Sequence, residues 1–413
     1  MDSLAGKSGV NPMRVAVLGA GIMGSSLALF LARRGAQVTL IDAAPKPFCA
    51  ASRWNEGKVH LGYLYAADPS LKTARALLPG GIAFKLLTEE LIGLPLDPVT
   101  TAEDDIYLVH RDSIIASNVM QRHFDAVSAL VREHPGATDY LVDTSESAVR
   151  PLSRSELDQL TDTRDVVAGF RVVERSVWTN WVADRYVDAL YAESRIELSL
   201  STRVTGVKPA TTSVDGQWHV VADPGLAASF DFVVNALWEG RPAIDATVGL
   251  RDHPGWSHRY RLALFVQTDR RLTVPSAVLA LGPFGDVKNY TGRNFYLSWY
   301  PAGLIAEGHS LVPPDLPSLD ESAARAITNS VFGELSRLIP SVNEIIAEAQ
   351  DTVLQGGWVF AGGHGSLRDP FATVHRRYDF GIRRRGSYIS VDTGKYSTAA
   401  WLAKRLADQI LDG

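Results

Sequence analysis

The sequence predicts an α/β fold, and three observations carry that prediction. Residues 14–42 hold a strand, a glycine turn, a helix and a second strand; alternating strands run through the middle; and residues 387–411 return to strand, glycine turn and helix. Together these describe a Rossmann-like domain assembled from discontinuous segments, with an interleaved α+β domain containing an antiparallel sheet. The expected division is 13–90, 182–245 and 380–413 for the first domain and 91–181 and 246–379 for the second, with 1–12 as a mobile N-terminal tail.

In the first unit, RVAVLGAGIMGSSLALFLARRGAQVTLID, an apolar run at 15–18 suits a buried parallel strand, and Gly19, Gly21 and Gly24 follow in Gly-x-Gly-x-x-Gly spacing. The first glycine permits a tight turn and the second lets backbone approach a pyrophosphate. The third lets the helix pack on the strand, with the phosphate at the helix N-terminus where Ile22 and Met23 lie. Leu27, Ala28, Leu31 and Ala32 form the apolar helix face, Gly35 ends the helix, and Asp42 closes the next strand, placed to accept from a ribose. This unit reads as a dinucleotide site and by itself serves FAD and NAD alike.

Residues 44–65 are a loop-rich segment dense in polar and aromatic side chains: Ser52, Arg53, Trp54, Asn55, Glu56, Lys58, His60, Tyr63 and Tyr65. Such density beside a cofactor turn suggests a site. Helical patterning follows at 69–93 and 118–133, with strand-like YLVH at 107–110 between them. A helix at 182–193 leads into strands at 196–200, 203–207, 218–222 and 231–235, expected to return to the nucleotide-binding sheet. Strands at 261–267, 277–281 and 295–300 read as antiparallel, and a helix at 319–338 follows. The end of the chain supplies the strand SYISV, the turn DTGKYST and a helix over 399–411.

Bulk properties narrow the function. The 413 residues are 46% hydrophobic and 21% charged with net charge −5, the profile of a soluble globular chain without a polyanion-binding footprint. A single cysteine, Cys49, excludes an intramolecular disulfide and reads as a small packing residue. His253 and His258 flank a turn without further ligand-type spacing, so no metal is expected. With no secretory core at the start and no apolar stretch near the ~18 residues of a membrane span, the expected location is cytoplasmic, and the expected partner is a small-molecule substrate.

With the opening unit, the VVNA strand at 233–236 and the C-terminal glycine turn in view, the chain resembles the FAD-dependent oxidoreductases of the D-amino-acid oxidase superfamily. Ala28 and Gly35 match the extended pattern of flavoproteins, so FAD is the implied cofactor. WNEGKVHLGYLY at 54–65 is similar to the flavin-proximal segment of FAD-linked glycerol-3-phosphate dehydrogenases and L-2-hydroxyglutarate oxidases, through His60, Gly62 and Tyr65. Gly394, Lys395 and Thr398 resemble the Gly-Lys-x-Thr-Thr turn of the former, with Ser397 replacing a threonine. Leu64 stands where those enzymes carry an arginine for substrate phosphate, which argues against that substrate.

The resemblance implies cofactor contacts at Gly19, Gly21, Ile22, Met23, Gly24 and Asp42; at Ser52, Arg53, Asn55, Gly57 and Lys58; at Val204, Asn235 and Ala236; and at Gly394, Lys395, Tyr396, Ser397 and Thr398. Lys395, beside a helix N-terminus, would stabilise the negative charge of reduced flavin. Oxidation of a carbon–oxygen bond calls for a base; His60 is the first candidate and His364 the second, and each serves equally as a backbone-bonding histidine. Arg376 and Arg377, then Arg368, are candidates to hold a substrate carboxylate, while 383–385 reads as a solvated turn. Tyr65 joins the candidate catalytic group, and of Tyr296, Trp299 and Tyr300 one face would wall the cavity while the other packs.

The expected activity is removal of a hydride from a small, polar, carboxylate-bearing substrate at a CH–OH carbon, electrons passing to oxygen or another acceptor. The alternatives are oxidation of an amine or amino acid to an imine, and flavin binding without turnover.

Overall fold

In a computed structural model the chain is described over residues 12–210, 216–225, 228–250 and 255–412. Most of the expected tail, 1–11, lies outside the described residues, as does His253. The nucleotide-binding sheet has six strands in the order Gly381–Arg385, Tyr388–Asp392, Phe232–Asn235, Arg14–Leu18, Gln37–Ile41 and Ile196–Ser199. All pair in parallel except Gly381–Arg385, which runs antiparallel to its neighbour. This central position of Arg14–Leu18 explains its unbroken apolar run, since a central parallel strand is covered on both faces.

Helices Ile22–Arg33, Lys72–Ile92, Thr179–Ala192 and Ala399–Leu411 cover one face, where Leu27, Leu31, Leu402 and Leu406 are fully or nearly fully buried. The other face corrects the sequence expectation. Strands Arg203–Pro209 and Trp218–Asp223 do not join the nucleotide sheet; with Ala228–Phe230 they form a separate three-stranded sheet. Val207, Trp218 and Phe230 pack against Ala16, Leu18 and Val233, so these strands serve as a covering layer. Their half-exposed alternation fits a lid as well as an edge, and periodicity alone does not choose between them.

A nine-stranded mixed sheet forms the second body. Its spine is Trp256–Thr268, which pairs along its whole length with Ala349–Gly362 and on its other edge with Leu304–Gly308 and Asn294–Trp299. Gly285–Asn289, Ala277–Ala280, Asp105–His110 and Val166–Val172 extend it, the pair Ala277–Ala280 and Asp105–His110 being parallel. Helix Glu321–Leu338 packs Val331, Leu335 and Leu338 on this sheet, and its start is capped by Asp320, whose Oδ1 accepts from Ala323 N at 2.7 Å.

Helix Lys72–Ile92 carries Pro79, Gly80 and Gly81 in its interior, a sequence that disfavours a helix. Packing supplies the reason. A Cβ on Gly80 would lie 2.8 Å from Thr398 Cα, and one on Gly81 only 2.2 Å from the carbonyl oxygen of His60. The helix thus touches both the flavin-proximal segment and the C-terminal turn, and its glycines bring these two distant stretches together.

Candidate active site

A cavity of about 620 Å³ runs between the nucleotide sheet and the spine of the mixed sheet. One part is lined by Gly19, Gly21, Ile22, Met23, Asp42, Val204 and Ala236, all from the expected cofactor set. Gly19 turns with φ +100°, and a Cβ there would meet Ala236 O at 2.8 Å; a Cβ on Gly24 would meet Gly19 O at 1.9 Å. Both positions therefore exclude any side chain. Asp42 accepts from Ala20 N at 2.7 Å through Oδ2 and from Ala44 N at 2.8 Å through Oδ1, which sets the turn and leaves lone pairs for a hydroxyl. Ser52 Oγ accepts from Ile22 N at 3.0 Å, holding the 44–65 loop against the helix N-terminus. Glu239 also lines this part, and its desolvation, aided by the Asp42 charge, pushes its carboxyl up to about 7.

The other part is lined by Glu56, Lys58, His60, Arg261, Arg377, Gly394, Lys395 and Tyr396. The turn after Tyr388–Asp392 is built by local bonds: Gly394 N donates to Asp392 Oδ1 at 2.9 Å and Lys395 N to Thr398 Oγ1 at 3.2 Å. It leads through one 3₁₀ turn, Tyr396–Thr398, into helix Ala399–Leu411. Ser397 Oγ accepts from His60 N at 3.3 Å, so the C-terminal turn and the flavin-proximal segment are directly joined across 337 positions. Lys395 Nζ lies 5.6 Å from the centre of the Tyr65 ring, and the His60 and Tyr65 rings are 5.7 Å apart.

Behind this wall is a buried ion network. Lys58 Nζ donates to Asp105 Oδ2 at 2.7 Å and to the Tyr107 hydroxyl at 3.1 Å; Lys288 Nζ reaches the same Asp105 oxygen at 2.5 Å. Glu174 accepts from Tyr107 and, at 2.7 Å, from Leu61 N, while its carboxylate lies 3.5 Å from Lys58. Two lysines and two carboxylates thus neutralise one another out of water, as buried charges must.

Among the described residues, Arg261, Arg377 and Lys395, which also face the cavity, have no such ion-pair partners. Burial, then the neighbouring charge of Arg377, brings the Lys395 ammonium down to about 7, although Glu56 opposes this. Burial works against the Glu56 carboxylate, yet Lys395 and Arg261 outweigh it and hold it below its ordinary value. His60 is driven well below the usual imidazole range, by burial first and then by Lys395, Lys58 and other cations, so it is neutral at neutral pH. Its Nδ1 is buried, has no hydrogen-bond partner, and lies 4.0 Å from Glu174 Oε1. Burial also raises the Tyr65 phenol, whose hydroxyl is likewise unpartnered.

The structure separates other expected residues from the cavity. His364 and Arg376 are exposed on the 363–376 loop, where His364 N donates to Thr373 Oγ1 at 3.0 Å and Arg376 N to Thr373 O at 2.9 Å; neither lines the cavity. Two glycines expose His364 on a loop that faces away. Asn235 is fully buried and gives its Nδ2 to Arg241 O, Asp245 and Tyr388, a bond set internal to the nucleotide domain. Arg53 pairs with Asp184 at 2.5 Å and Gly57 packs on Val177, both outside the lining, whereas Asn55 lines the cavity while tying down its own loop. Ser397, Thr398, Tyr65 and Gly24 stand behind the lining residues.

Sequence reading did not single out Arg261, Trp238, Trp358 and Glu239, which the fold brings to the cavity. Tyr296 lines it as well, while Trp299, on the opposite face of its strand, packs 6.2 Å from Phe284 in the second core. Cys49 lines the nucleotide part, its Sγ 3.2 Å from Lys46 O.

Residues 14–349 match the model of the FAD-dependent oxidoreductase family DAO. The chain belongs to this family. Solved structures agree in fold: glycine oxidase from Geobacillus kaustophilus has a TM-score of 0.64 at 14% identity over 96% of this chain and 94% of that one. Iminodiacetate oxidase from Chelativorans sp. BNC1 gives 0.65 at 14% over 97% and 95%, and L-α-glycerophosphate oxidase from Mycoplasma pneumoniae, a structure with FAD bound, gives 0.62 at 16% over 98% and 96%. The chain is an FAD-dependent oxidoreductase, and its residues fit the cofactor. The side-chain-free cradle at Gly19 and Gly24, the bonded Asp42 carboxylate and the helix start at Ile22 suit the dinucleotide; Lys395 and the 394–398 turn suit an acceptor that gains negative charge. Among the described residues no group of three or more His, Cys, Asp or Glu is placed to hold a metal ion, and no helix is long and apolar enough to cross a membrane.

Proposed function

We propose that the chain oxidises the C–N bond of a small carboxylate-bearing amine, an amino acid or N-substituted amino acid, to an imine that water then hydrolyses. The observation that carries this reading is the cationic character of the cavity part beside the 394–396 turn: there Arg261, Arg377 and Lys395 face one lining carboxylate, Glu56, once Lys58 is paired with Asp105, while Asp42 and Glu239 line the nucleotide part. Such a surround attracts a carboxylate and disfavours a protonated amine, so the substrate nitrogen is held neutral with its lone pair available. Glycine oxidase and iminodiacetate oxidase among the similar structures support C–N over the C–O oxidation expected from the 54–65 motif.

Bound FAD would supply the two-electron acceptor. The chain's own residues do the rest. Arg377 binds the carboxylate, its Nη2 already braced on Phe360 O at 3.0 Å. Lys395 would provide positive charge to the cofactor as it gains negative charge, and Glu56 faces Lys395 across the same wall. The substrate nitrogen, kept neutral in this cationic surround, has its lone pair free to form C=N as the C–H bond breaks, so no protein base is needed.

The test is anaerobic bleaching of the purified flavoprotein by amino acids, N-alkyl amino acids and matched 2-hydroxy acids. Bleaching by amines and not by hydroxy acids is expected; the reverse overturns the reading. One observation favours the second reading, hydroxy-acid oxidation: neutral His60 presents an unpartnered Nδ1 beside the cavity, suited to take a hydroxyl proton. Under that reading His60→Gln slows reduction by about 10²–10⁴-fold, the range for a lost general base. Under the amine reading it does not.

A further inference from the structure

The cation excess is larger than one carboxylate calls for. Arg259 and Arg261 stand two apart on the strand Trp256–Thr268, so their side chains leave the same face of the sheet. Arg259 is buried; its Nη1 donates to the Tyr300 hydroxyl at 3.2 Å, and Arg261 lies over that same ring with its guanidinium 4.6 Å from the centre. Arg261 gives one bond, Nη2 to Ser298 Oγ at 3.2 Å, and Arg377 gives Nη2 to Phe360 O and to Gly394 O at 3.4 Å. Among the described residues, the buried Nε atoms of Arg259 and Arg261 have no hydrogen-bond partner.

Among the described residues, none of these three arginines has a carboxylate oxygen within the 4.0 Å of an ion pair, whereas Lys58, Lys288 and Arg241 each do. The carboxylates nearby reach them only indirectly or are shared. Asp286 accepts at 2.5 Å from Ser298, the hydroxyl that also takes Arg261 Nη2, and so meets Arg261 through one bridging group; Asp392 bridges to Arg241 at 3.3 Å, and Glu56 faces Lys395 as well as Arg261. Arg261 and Arg377 are half-buried on the cavity wall with Arg259 buried behind them, and open guanidinium donors on a partly desolvated wall favour a ligand anion that completes them. Arg261 stands on the strand Trp256–Thr268 and Arg377 on the loop before Gly381–Arg385, and each is braced by its own bonds, Arg261 on Ser298 and Arg377 on Phe360 O, so each offers its remaining donors to the cavity from its own position.

We infer that the substrate carries two anionic groups, one carboxylate held by Arg377 and a second acidic group held by Arg261 with Arg259 behind it. The substrate class is then an amino or imino dicarboxylate. This deepens the amine reading and rests on it for the bond oxidised, though the second anion subsite is a property of the cavity in either reading.

The experiment uses the FAD-loaded full chain. Inert ligands come first: malonate, succinate and glutarate against acetate, propionate and butyrate, measured by calorimetry and by perturbation of the flavin spectrum. At least one diacid is expected to bind 10-fold or more tighter than its monoacid match; equal binding, or no diacid binding below millimolar, overturns the inference. Anaerobic reduction then compares each diacid with its monoacid counterpart in both the amine and the hydroxy series. If only hydroxy acids reduce the flavin, the amine reading fails while the diacid-to-monoacid ratio still scores the second anion. Arg261→Gln is expected to shrink the diacid preference at least 10-fold and Arg261→Lys to restore part of it; an unchanged ratio in a folded Arg261→Gln protein refutes the assignment.

Discussion

Replacing Gly81 with alanine tests how the helix Lys72–Ile92 builds the site. Two effects of opposite sign compete. Alanine in a helix interior is favoured over glycine by about 1 kcal/mol. The new Cβ, however, would stand 2.2 Å from the His60 carbonyl oxygen and 3.3 Å from Leu61 Cδ2, where ordinary contact begins near 3.4 Å. The obstacle is backbone, so the segment at 60–61 must move. Overpacking of this kind costs about 1–3 kcal/mol, sometimes more, and the clash is severe enough to place Gly81→Ala at the upper end. The net expectation is destabilisation by about 1–2 kcal/mol. Gly333→Ala, in the exposed part of helix Glu321–Leu338 with nothing within 4 Å of its Cβ, is the internal control and should stabilise by about 0.5–1 kcal/mol. Urea unfolding of both variants at a fixed excess of FAD reads the difference, because cofactor linkage is then held constant. A Gly81→Ala midpoint equal to or above wild type would refute the packing argument, since it would mean that His60 can yield without cost.

The remaining expectations concern charge and cofactor. Lys395 titrates near pH 7 in the folded chain and near 10.5 when unfolded, so the unfolded state holds more protons between these values and stability from this group rises with pH through that window. The same deprotonation weakens anion binding: acetate or malonate affinity should fall about 10-fold, or ~1.4 kcal/mol, from pH 6 to 9, and Lys395→Met should abolish the step when followed by calorimetry. Lys58→Met leaves Asp105 and Glu174 buried beside one remaining cation and should cost about 3–5 kcal/mol in denaturant unfolding, with Asp105→Asn added to it recovering part of the loss. Asp42→Ala removes the acceptor for Ala20 N and Ala44 N and should raise the FAD dissociation constant about 10–100-fold, or ~1.4–2.8 kcal/mol, by flavin fluorescence titration; an unchanged constant would show that the turn holds without it.

What the sequence revealed follows from the range of the interactions involved. The glycine turn, Asp42 and the C-terminal turn are local devices whose spacing reports their geometry, and the discontinuous α/β layout and FAD could be read from them. Lys395 and His60 were recognisable as separate motifs; that Ser397 Oγ touches His60 N was not, because the contact depends on how close helix Lys72–Ile92 lets them come. Arg261 was hidden inside RLALFVQ, a strand buried on both faces, where alternation does not mark the side that meets the cavity. Its partner strand Ala349–Gly362, with Gly356 and Gly357 and few branched residues, carries little strand signal, yet Gly357 is needed because its Cβ would lie 2.5 Å from Ala51 Cα. His364 and Arg376 misled for the opposite reason. Their sequence neighbourhood was suggestive, and only tertiary placement shows the loop turned outward.

The shared Asp105 has a consequence for engineering. Its one oxygen receives Lys58 from the flavin-proximal segment and Lys288 from the strand Gly285–Asn289, while Asp105 itself sits on another strand of the same mixed sheet. A chimera that grafts the substrate sheet of another family member onto this nucleotide domain would replace Asp105 and Lys288 together, part Lys58 from its carboxylate and strand a charge in the interior. Residues 58, 105, 174 and 288 therefore have to be exchanged as a set, and the boundary between exchangeable parts runs through a charge balance, with no single loop at which the chain can be cut.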